Sequence, residues 1–203
     1  MNVACAIYRN KGVVNVYEEF LEEIQKKTGY IVWAIGHAGH NKSESYDMPS
    51  YVENQELYGL QGQIKHKIEF LEEYLPKNAR ITFIGHSVGS YIIVKLLAVS
   101  SIQSRVDRSF LLFPTIEYIG DSENAEEMLQ IRERDNKIIM ENVHRIKIYY
   151  GTKDGWCPLT NYHNIKKDIP NINAEVCDKG YPHAFIINDS LPMAALVTDW
   201  MNV

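Results

Sequence analysis

The sequence predicts a single α/β domain, residues 1–203, in which helices cover both faces of a mostly parallel β-sheet. Short apolar runs rich in β-branched residues alternate along the chain with longer segments of helical periodicity, and this alternation is typical of a parallel sheet. A chain of 203 residues has the usual length of one domain. Neither an internal repeat nor a linker rich in Pro, Gly or Ser divides it.

Six strands and five helices are predicted in this alternation. The strands are expected at residues 3–8, 31–35, 80–84, 108–113, 145–150 and 173–177. The helices are expected at residues 16–27, 62–75, 91–99, 121–143 and 192–201. In the first helix Val16, Phe20 and Ile24 share one face, and Gly29 provides a stop signal. The polar stretch 41–54 is predicted to be a surface loop.

Composition narrows the possible functions. The net charge of −5 offers no basic patch for nucleic acid, so no nucleic-acid partner is expected. Cys5, Cys157 and Cys177 form an odd set without a Cys-x-x-Cys spacing, which indicates a reducing compartment and a cytosolic-facing protein. The apolar start is too short for a secretory signal, and no apolar run approaches the roughly 20 residues of a membrane span. No transmembrane segment is therefore predicted.

The motif Gly85-His86-Ser87-Val88-Gly89 follows the predicted strand 80–84 and precedes an apolar helix. Strand, sharp turn and helix in this order are typical of a nucleophile elbow, which predicts an α/β-hydrolase-type fold with Ser87 as nucleophile. The turn is strained, and a side chain at Gly85 or Gly89 would collide across it. We expect Ser87 to face solvent and the backbone N–H of Val88 to form half of an oxyanion hole. The alternative is a glycine-rich turn without chemistry.

Asp154 and His183 follow Ser87 in the chain order of a Ser-Asp-His triad. Asp154 lies in a glycine turn after the strand 145–150, and His183 lies in a loop before the last helix. A serine hydroxyl becomes an effective nucleophile when a neutral imidazole accepts its proton and a carboxylate orients that imidazole. Asp154 could instead cap a helix, and His183 could be an ordinary loop histidine. Asp178 competes for the acid role, but it lies close to His183 along the chain.

A metal site is the other chemistry that the histidines suggest. His37 and His40 are three residues apart and could be joined by His86. No cysteine or carboxylate completes the set, and the segment falls in a glycine turn. The sequence therefore predicts neither a metal nor a cofactor.

With these motifs placed, the chain resembles the lipid droplet-associated hydrolase family, serine hydrolase-like proteins of the α/β-hydrolase superfamily. Besides the elbow block 84–91, the resemblance rests on five blocks in the same order, residues 35–40, 58–67, 111–117, 150–158 and 182–185. It implies Ser87 as nucleophile, Asp154 as acid and His183 as base. It also implies a place on lipid droplets and the endoplasmic reticulum, on their cytosolic face, and a role in lipid metabolism.

The chain departs from the family pattern in two places. The family has the loop Ile-Pro-Gly-Asn-Pro-Gly where residues 7–12 read Ile-Tyr-Arg-Asn-Lys-Gly, so the second oxyanion donor, expected at the backbone of Arg9, is next to a bulky charged side chain. Activity is therefore expected to be weak. The strands that precede this loop in the family are absent, so we expect a fold truncated at the first strands, with the sheet beginning at an edge that is normally covered.

The second departure lies between Glu117 and Arg145, where the family carries a longer insertion. A short charged segment, 121–142, takes its place, which predicts a reduced lid region. If this shortening abolishes droplet binding, the expected location becomes the cytoplasm.

Two functions are consistent with these observations. The first is a serine ester hydrolase, a lipase or sterol esterase in type, that cleaves a lipid or steryl ester through an acyl-enzyme at Ser87. The second is a catalytically impaired droplet-associated protein that binds lipid or a partner. The retained triad residues favour the first, and the altered loop 7–12 favours the second.

Overall fold

The computed structural model describes residues 1–8, 14–40, 47–50, 52–117, 131 and 133–202. Its centre is a six-stranded sheet with the order β2-β1-β3-β4-β5-β6, and every strand pairing is parallel. The strands are β1 (Asn2–Ile7), β2 (Ile31–Ile35), β3 (Arg80–His86), β4 (Val106–Leu112), β5 (Ile146–Gly151) and β6 (Asn173–Cys177). All six predicted strands and the parallel sheet are thus confirmed.

The helices alternate with these strands. They are α1 (Glu18–Thr28), α2 (Gln55–Tyr58), α3 (Leu60–Tyr74), α4 (Val88–Leu96), α5 (Ser100–Gln103), α6 (Asn136–Glu141), α7 (Leu159–Asp168) and α8 (Ser190–Met201). Short 3-10 turns occupy Val14–Tyr17, Val143–Arg145 and Phe185–Ile187. The helices predicted at 16–27, 62–75, 91–99 and 192–201 correspond to α1, α3, α4 and α8.

The predicted helix 121–143 is confirmed only over residues 136–141, which form α6. Residues 121–130 and 132 lie outside the described residues, and 133–135 are not helical. The helix α6 begins only at Asn136, because the side chain of Asp135 accepts a hydrogen bond from the Ile138 amide at 3.2 Å and caps it. Of the predicted surface loop 41–54, residues 47–50 and 52–54 form neither helix nor strand, while 41–46 and 51 lie outside the described residues.

The helices cover both faces of the sheet, as predicted. Alternate residues of β1 enter two different cores: positions 3, 5 and 7 pack with buried residues of α3, α4 and α7, and positions 4, 6 and 8 with those of α1 and α8. This alternation follows from the two-residue period of a strand. The carboxyl ends of all six strands therefore meet at one edge, where the loops that carry Ser87, Asp154 and His183 lie together.

Strand β2 forms one edge of the sheet, and β1 lies inside it, since β1 pairs with β2 on one side and with β3 on the other. Ile31 at the start of β2 is 44% exposed, and the Trp33 ring packs against Phe70 of α3. Within the described ranges no helix combines the length and apolar character that crossing a bilayer requires.

Candidate active site

The turn between β3 and α4 consists of Ser87 alone. Its backbone has φ 57° and ψ −125°, a conformation that residues other than glycine rarely adopt. The amide of Ser87 donates to the Leu112 carbonyl at 3.1 Å, and the amide of Thr115 donates to the Ser87 carbonyl at 3.3 Å. The end of β4 thus holds the strained turn in place.

The two glycines of the motif leave room for different neighbours. A Cβ at Gly85 would lie 2.8 Å from the Cα of Ser90, which is the predicted collision across the turn. A Cβ at Gly89 would lie 2.0 Å from the Ile7 carbonyl oxygen, so this glycine faces the end of β1 rather than the turn. Close packing of helix α4 on β1 therefore requires glycine at position 89.

The structure brings Ser87, His183 and Asp154 into one hydrogen-bonded chain. The Oγ of Ser87 lies 3.0 Å from Nε2 of His183, and Nδ1 of His183 lies 2.7 Å from Oδ2 of Asp154. The side chain of Asp154 is fully buried and that of His183 is 8% exposed. With the Nδ1 proton donated to the carboxylate, Nε2 is free to accept the proton of the serine hydroxyl.

The expectation that Ser87 faces solvent is wrong, because the residue is only 8% exposed. The imidazole of His183 lies against its hydroxyl on one side, and Oγ1 of Thr115 lies 3.5 Å away on another. The next residue, Val88, packs with Ile131. No sequence pattern singles out Thr115, although the block 111–117 that contains it is one of those on which the resemblance rests.

Both oxygens of Asp154 have partners. While Oδ2 faces His183, Oδ1 accepts hydrogen bonds from the amides of Trp156 at 2.8 Å and Cys157 at 3.0 Å. Asp154 therefore closes its own turn and does not cap α7, whose N-cap is Pro158. The alternative acid, Asp178, has a side chain that is 76% exposed and pairs with Lys179.

His86, the second residue of the elbow motif, connects the end of β3 to the loop of His183 and to Tyr17. Its Nε2 lies 2.8 Å from the main-chain carbonyl of His183, and its Nδ1 lies 2.6 Å from the hydroxyl of Tyr17. A carbonyl can only accept, so Nε2 carries the proton and Nδ1 accepts from Tyr17. From the end of β3, His86 thus fixes the backbone of His183. The motif alone gives no signal for this contact, because any residue fits its second position.

Aromatic rings surround His183 and His86. The ring of Phe113 lies edge-on to His183 with centroids 6.3 Å apart, and Phe185 packs on His86 at 4.7 Å. Phe113 itself has φ 47°, the only positive value besides that of Ser87 among the described residues other than glycine. Such surroundings exclude water and strengthen the electrostatic interactions of the groups inside.

Cys5 and Cys157 are not suited to act as nucleophiles. All three are buried and free. Burial raises the pKa of Cys5 to about 12 and the pKa of Cys157 well above its usual value. The Sγ of Cys157 donates to the Pro114 carbonyl. Both thiols are therefore unreactive, since only a thiolate is strongly nucleophilic.

Two of the three histidines of the metal hypothesis, His37 and His86, use their ring nitrogens for other contacts. His37 Nε2 lies 3.0 Å from the Tyr8 carbonyl and its Nδ1 lies 3.2 Å from Nζ of Lys67, while His86 is engaged as described. The His37 and His40 rings lie 5.4 Å apart. In the part of the chain that the structure describes, no group of three or more His, Cys, Asp or Glu side chains could hold a metal ion.

Of the two predicted oxyanion donors, only Val88 lies among the described residues. Val88 is the first residue of α4, so its amide has no acceptor within the helix and is available to a ligand beside Ser87. Arg9 lies outside the described residues. The backbone that leads to it, at Ile7 and Tyr8, lies directly against Gly89.

A buried ion pair joins the residue before the predicted lid region to a residue inside it. Glu117 precedes this region and Arg134 lies within it, and both side chains are 3% exposed. Burial raises the pKa of Glu117, although the charge of Arg134 opposes this shift. Arg134 also binds Asp168 of α7 at 2.6 Å. Glu117 and Arg134 are thereby attached to each other and to α7.

Sequence comparison gives the family. The model of the family described as lipid-droplet associated hydrolase matches residues 4–126 and 124–186. The lipid droplet-associated hydrolase of Drosophila melanogaster is 30% identical over 97% of this chain and 88% of its own length. That of Rattus norvegicus is 31% identical over 95% of this chain and 82% of its own length.

The same comparisons locate a length difference. The alignment with the Drosophila protein extends over 269 residues, although this chain has 203, so the relative carries residues that this chain lacks. The two matched stretches of the family model meet at residues 124–126, inside the region predicted to be a reduced lid.

Structural comparison agrees on the fold. The mouse alpha/beta hydrolase domain-containing protein 10 has a TM-score of 0.69, with 98% of this chain and 89% of that chain covered at 12% identity. At this identity the likeness shows the fold alone. Together with the sequence matches, it shows that the chain has the α/β-hydrolase fold and belongs to the lipid-droplet associated hydrolase family.

Proposed function

We propose that the chain is a serine ester hydrolase in which Ser87 is the nucleophile, His183 the general base and Asp154 the residue that orients it. One observation carries this proposal: the hydrogen-bonded chain from Ser87 Oγ through His183 to Asp154, with links of 3.0 Å and 2.7 Å. This geometry is within the range at which a nucleophile and its base transfer a proton. The strained elbow at Ser87 supports the same reading.

The reaction would proceed in two halves. Ser87 Oγ attacks the ester carbonyl carbon while its proton passes to Nε2 of His183, and the Val88 amide stabilises the negative oxygen of the tetrahedral intermediate. The intermediate expels the alcohol, which takes the proton from His183, and leaves an acyl-enzyme. Water then attacks the acyl carbon with His183 as base, which releases the acid and restores Ser87.

A lipid or steryl ester is the substrate class that we propose. The relatives are named lipid droplet-associated hydrolases, and the aromatic surroundings of His183 suit an apolar substrate. On the same basis we propose that the chain acts at the lipid droplet surface and on the cytosolic face of the endoplasmic reticulum. The droplet surface would be bound peripherally.

A catalytically impaired, lipid-binding or partner-binding protein is the second candidate. The observation that favours it is the sequence of residues 7–12, where charged Arg9 and Lys11 replace the glycine and proline of the family loop. Losing one oxyanion donor typically lowers the rate by roughly 10²- to 10³-fold. A protein with this defect would retain the fold while turning over slowly.

Labelling with a fluorophosphonate probe separates the two candidates, because the probe needs an activated serine but no knowledge of the substrate. We expect intact-mass analysis to show one probe per chain, no labelling of Ser87→Ala, and full labelling of Ser101→Ala, an exposed serine that binds Glu72. Labelling of Ser87→Ala would exclude Ser87 as nucleophile. An unlabelled parent that binds lipid vesicles would favour the second candidate.

A further inference from the structure

The loop that follows β4 contacts the proposed nucleophile with both its backbone and a side chain. Thr115 donates its amide to the Ser87 carbonyl at 3.3 Å, and its Oγ1 lies 3.5 Å from the Oγ of Ser87. The residue is buried, and the block 111–117 that contains it holds none of the proposed triad residues. Thr115 therefore places a buried hydroxyl directly beside the oxygen that would attack the ester.

Two further hydrogen bonds hold this loop in one position. The amide of Phe113 donates to the Tyr149 carbonyl at 2.7 Å, and the Sγ of Cys157 donates to the Pro114 carbonyl at 2.8 Å. Phe113 also has φ 47°, in the left-handed region that residues other than glycine rarely adopt. Such strain persists only where the surroundings over-determine the backbone, and it is concentrated at functional sites. The position of the Thr115 hydroxyl is therefore preorganised.

The hydrogen bonds of the triad determine which of the two hydroxyls donates. A carboxylate only accepts, so Nδ1 of His183 carries the proton toward Asp154, and Nε2 accepts the single hydroxyl proton of Ser87. The Oγ of Ser87 has no second proton, so it must accept from Thr115. Among the described residues the Thr115 hydroxyl has no other hydrogen-bond partner. Of the two lone pairs on Oγ, one accepts from Thr115 and the other remains for the attack on the ester.

This hydrogen bond gains strength as the proton leaves Ser87. At 3.5 Å the two oxygens lie at the outer limit for a hydrogen bond, so the bond stabilises the resting enzyme little. Negative charge develops on Oγ while the proton passes to His183, and hydrogen bonds to a charged acceptor are shorter and roughly twice as strong as neutral ones. An interaction that is stronger in the transition state than in the ground state accelerates the reaction.

We infer that Thr115 is a further catalytic residue: its hydroxyl donates to Ser87 Oγ and stabilises the negative charge that develops there as His183 takes the proton. The inference rests on the proposed function. It assigns a role to the block 111–117, which the triad leaves without one. Thr115 acts on the attacking oxygen, whereas the Val88 amide acts on the carbonyl oxygen of the substrate.

The experiment replaces the hydroxyl with a methyl group of similar size. For Thr115→Val we expect two quantities that both depend on the attack by Ser87 to fall together by about 3- to 10-fold, the loss expected for one hydrogen bond. They are the second-order rate constant of fluorophosphonate labelling and kcat/KM for a short-chain nitrophenyl ester. Thr115→Ser keeps the hydroxyl and should be faster than Thr115→Val in both measurements. The control is Thr198→Val, which removes a buried hydroxyl of α8 that donates to the Ala195 carbonyl and should change neither quantity.

A purely structural role for Thr115 predicts the opposite result, in which Thr115→Val has a lower Tm but the folded variant reacts at the rates of the parent. That outcome would overturn the inference, and so would a Thr115→Ser variant as slow as Thr115→Val. Thr115→Ala also removes the hydroxyl and takes the place of Thr115→Val if that variant does not fold. An unlabelled parent, or a labelled Ser87→Ala, would refute the proposed function and this role with it. A parent labelled at Ser87 and a Thr115→Val labelled equally fast would refute only the role of Thr115.

Discussion

The two sides of Ser87 are held by different means. On the base side, a fully buried carboxylate binds His183 at 2.7 Å, and His86 holds the His183 main chain at 2.8 Å. Each of the two rings has a partner whose hydrogen-bonding role is fixed: a carboxylate for His183 and a carbonyl for His86. The residues of the proposed triad on this side lie in the blocks 84–91, 150–158 and 182–185, on which the resemblance to the family rests.

On the oxyanion side, the corresponding support comes from a cation and neutral acceptors. Lys67 binds His37, and His37 binds the Tyr8 carbonyl at 3.0 Å. This is also the side on which residues 7–12 depart from the family loop. In the proposed mechanism, activation of the nucleophile and stabilisation of the oxyanion would therefore depend on separate parts of the fold, so that one could weaken while the other remains intact.

The largest effect is expected where the two sides meet. Ser87→Ala and His183→Ala should each abolish nearly all hydrolysis, and the double variant should be no worse than either, because both residues belong to one proton-transfer unit. Asp154→Asn should cost less than either, though still on the order of 10⁴-fold. Rates come from hydrolysis of a nitrophenyl ester, with folding checked by thermal unfolding. Losses that simply multiply would show that His183 is not the base for Ser87.

A smaller effect is expected from the support of the base. His86→Phe keeps a ring but removes the donor to the His183 carbonyl, and we expect kcat to fall about 10- to 100-fold, as for a misplaced catalytic group. Tyr17→Phe removes only the hydroxyl that binds His86, and its loss should be smaller. The measurement is kcat for both variants. An equal loss in the two would mean that the hydroxyl, rather than the link to His183, matters.

On the oxyanion side, buried Lys67 should make the free energy of unfolding depend on pH. The pKa of Lys67 is about 7 in the folded protein against 10.5 ordinarily, so between these values the unfolded chain binds more protons. Raising the pH from 7 to 9 should therefore raise the free energy of unfolding of the parent relative to Lys67→Met, by at most about 1.4 kcal/mol per pH unit. Urea unfolding of both proteins measures the difference. A constant difference over this range would contradict a lowered pKa.

We end the comparison at pH 9 because above this pH the ionisation of tyrosines lowers the free energy of unfolding. Burial raises the pKa of Tyr8, Tyr149 and Tyr150 in the folded protein. The unfolded chain therefore loses these protons first, and the free energy of unfolding falls as the pH passes the ordinary tyrosine pKa of 10. The comparison with Lys67→Met cancels their contribution.

The smallest effect is expected at Tyr8. Its ring is buried against Tyr17, and its hydroxyl has no hydrogen-bond partner among the described residues. Tyr8→Phe removes this unsatisfied group and should raise the free energy of unfolding by about 1 kcal/mol, with kcat unchanged because the backbone carbonyl is retained. Thermal unfolding and ester hydrolysis measure the two quantities. A destabilised variant would indicate that the hydroxyl has a partner.

Much of this architecture could be predicted from local sequence patterns. The six strands follow from short apolar runs, and the elbow follows from two glycines around Ser87 at a strand-to-helix turn. The helix α7 was missed because only Asn161 and Ile165 are buried in it, which is too few for a periodic signal. The solvent exposure of Ser87 was also wrong, since burial of a turn depends on loops that are distant in sequence.

The supporting residues were harder to find. The second position of the elbow motif accepts any residue, so nothing local indicates that His86 reaches the His183 carbonyl 97 residues away. Lys67 did leave a signal. It lies three residues after Ile64 and four before Leu71, on the apolar face of α3, where a charged residue conflicts with the helical pattern. Such a conflict between residue type and face is a local sign of a functional position.

The ion pair between Glu117 and Arg134 has a consequence for how this family can vary. In this chain it fixes the separation of Glu117 and Arg134, the residues on either side of the segment 118–133. The entropy of closing a loop grows only slowly with its length, about 0.6 kcal/mol for each doubling. A longer connection between these two residues would therefore cost little, and the ion pair would keep the sheet and the position of Ser87 the same.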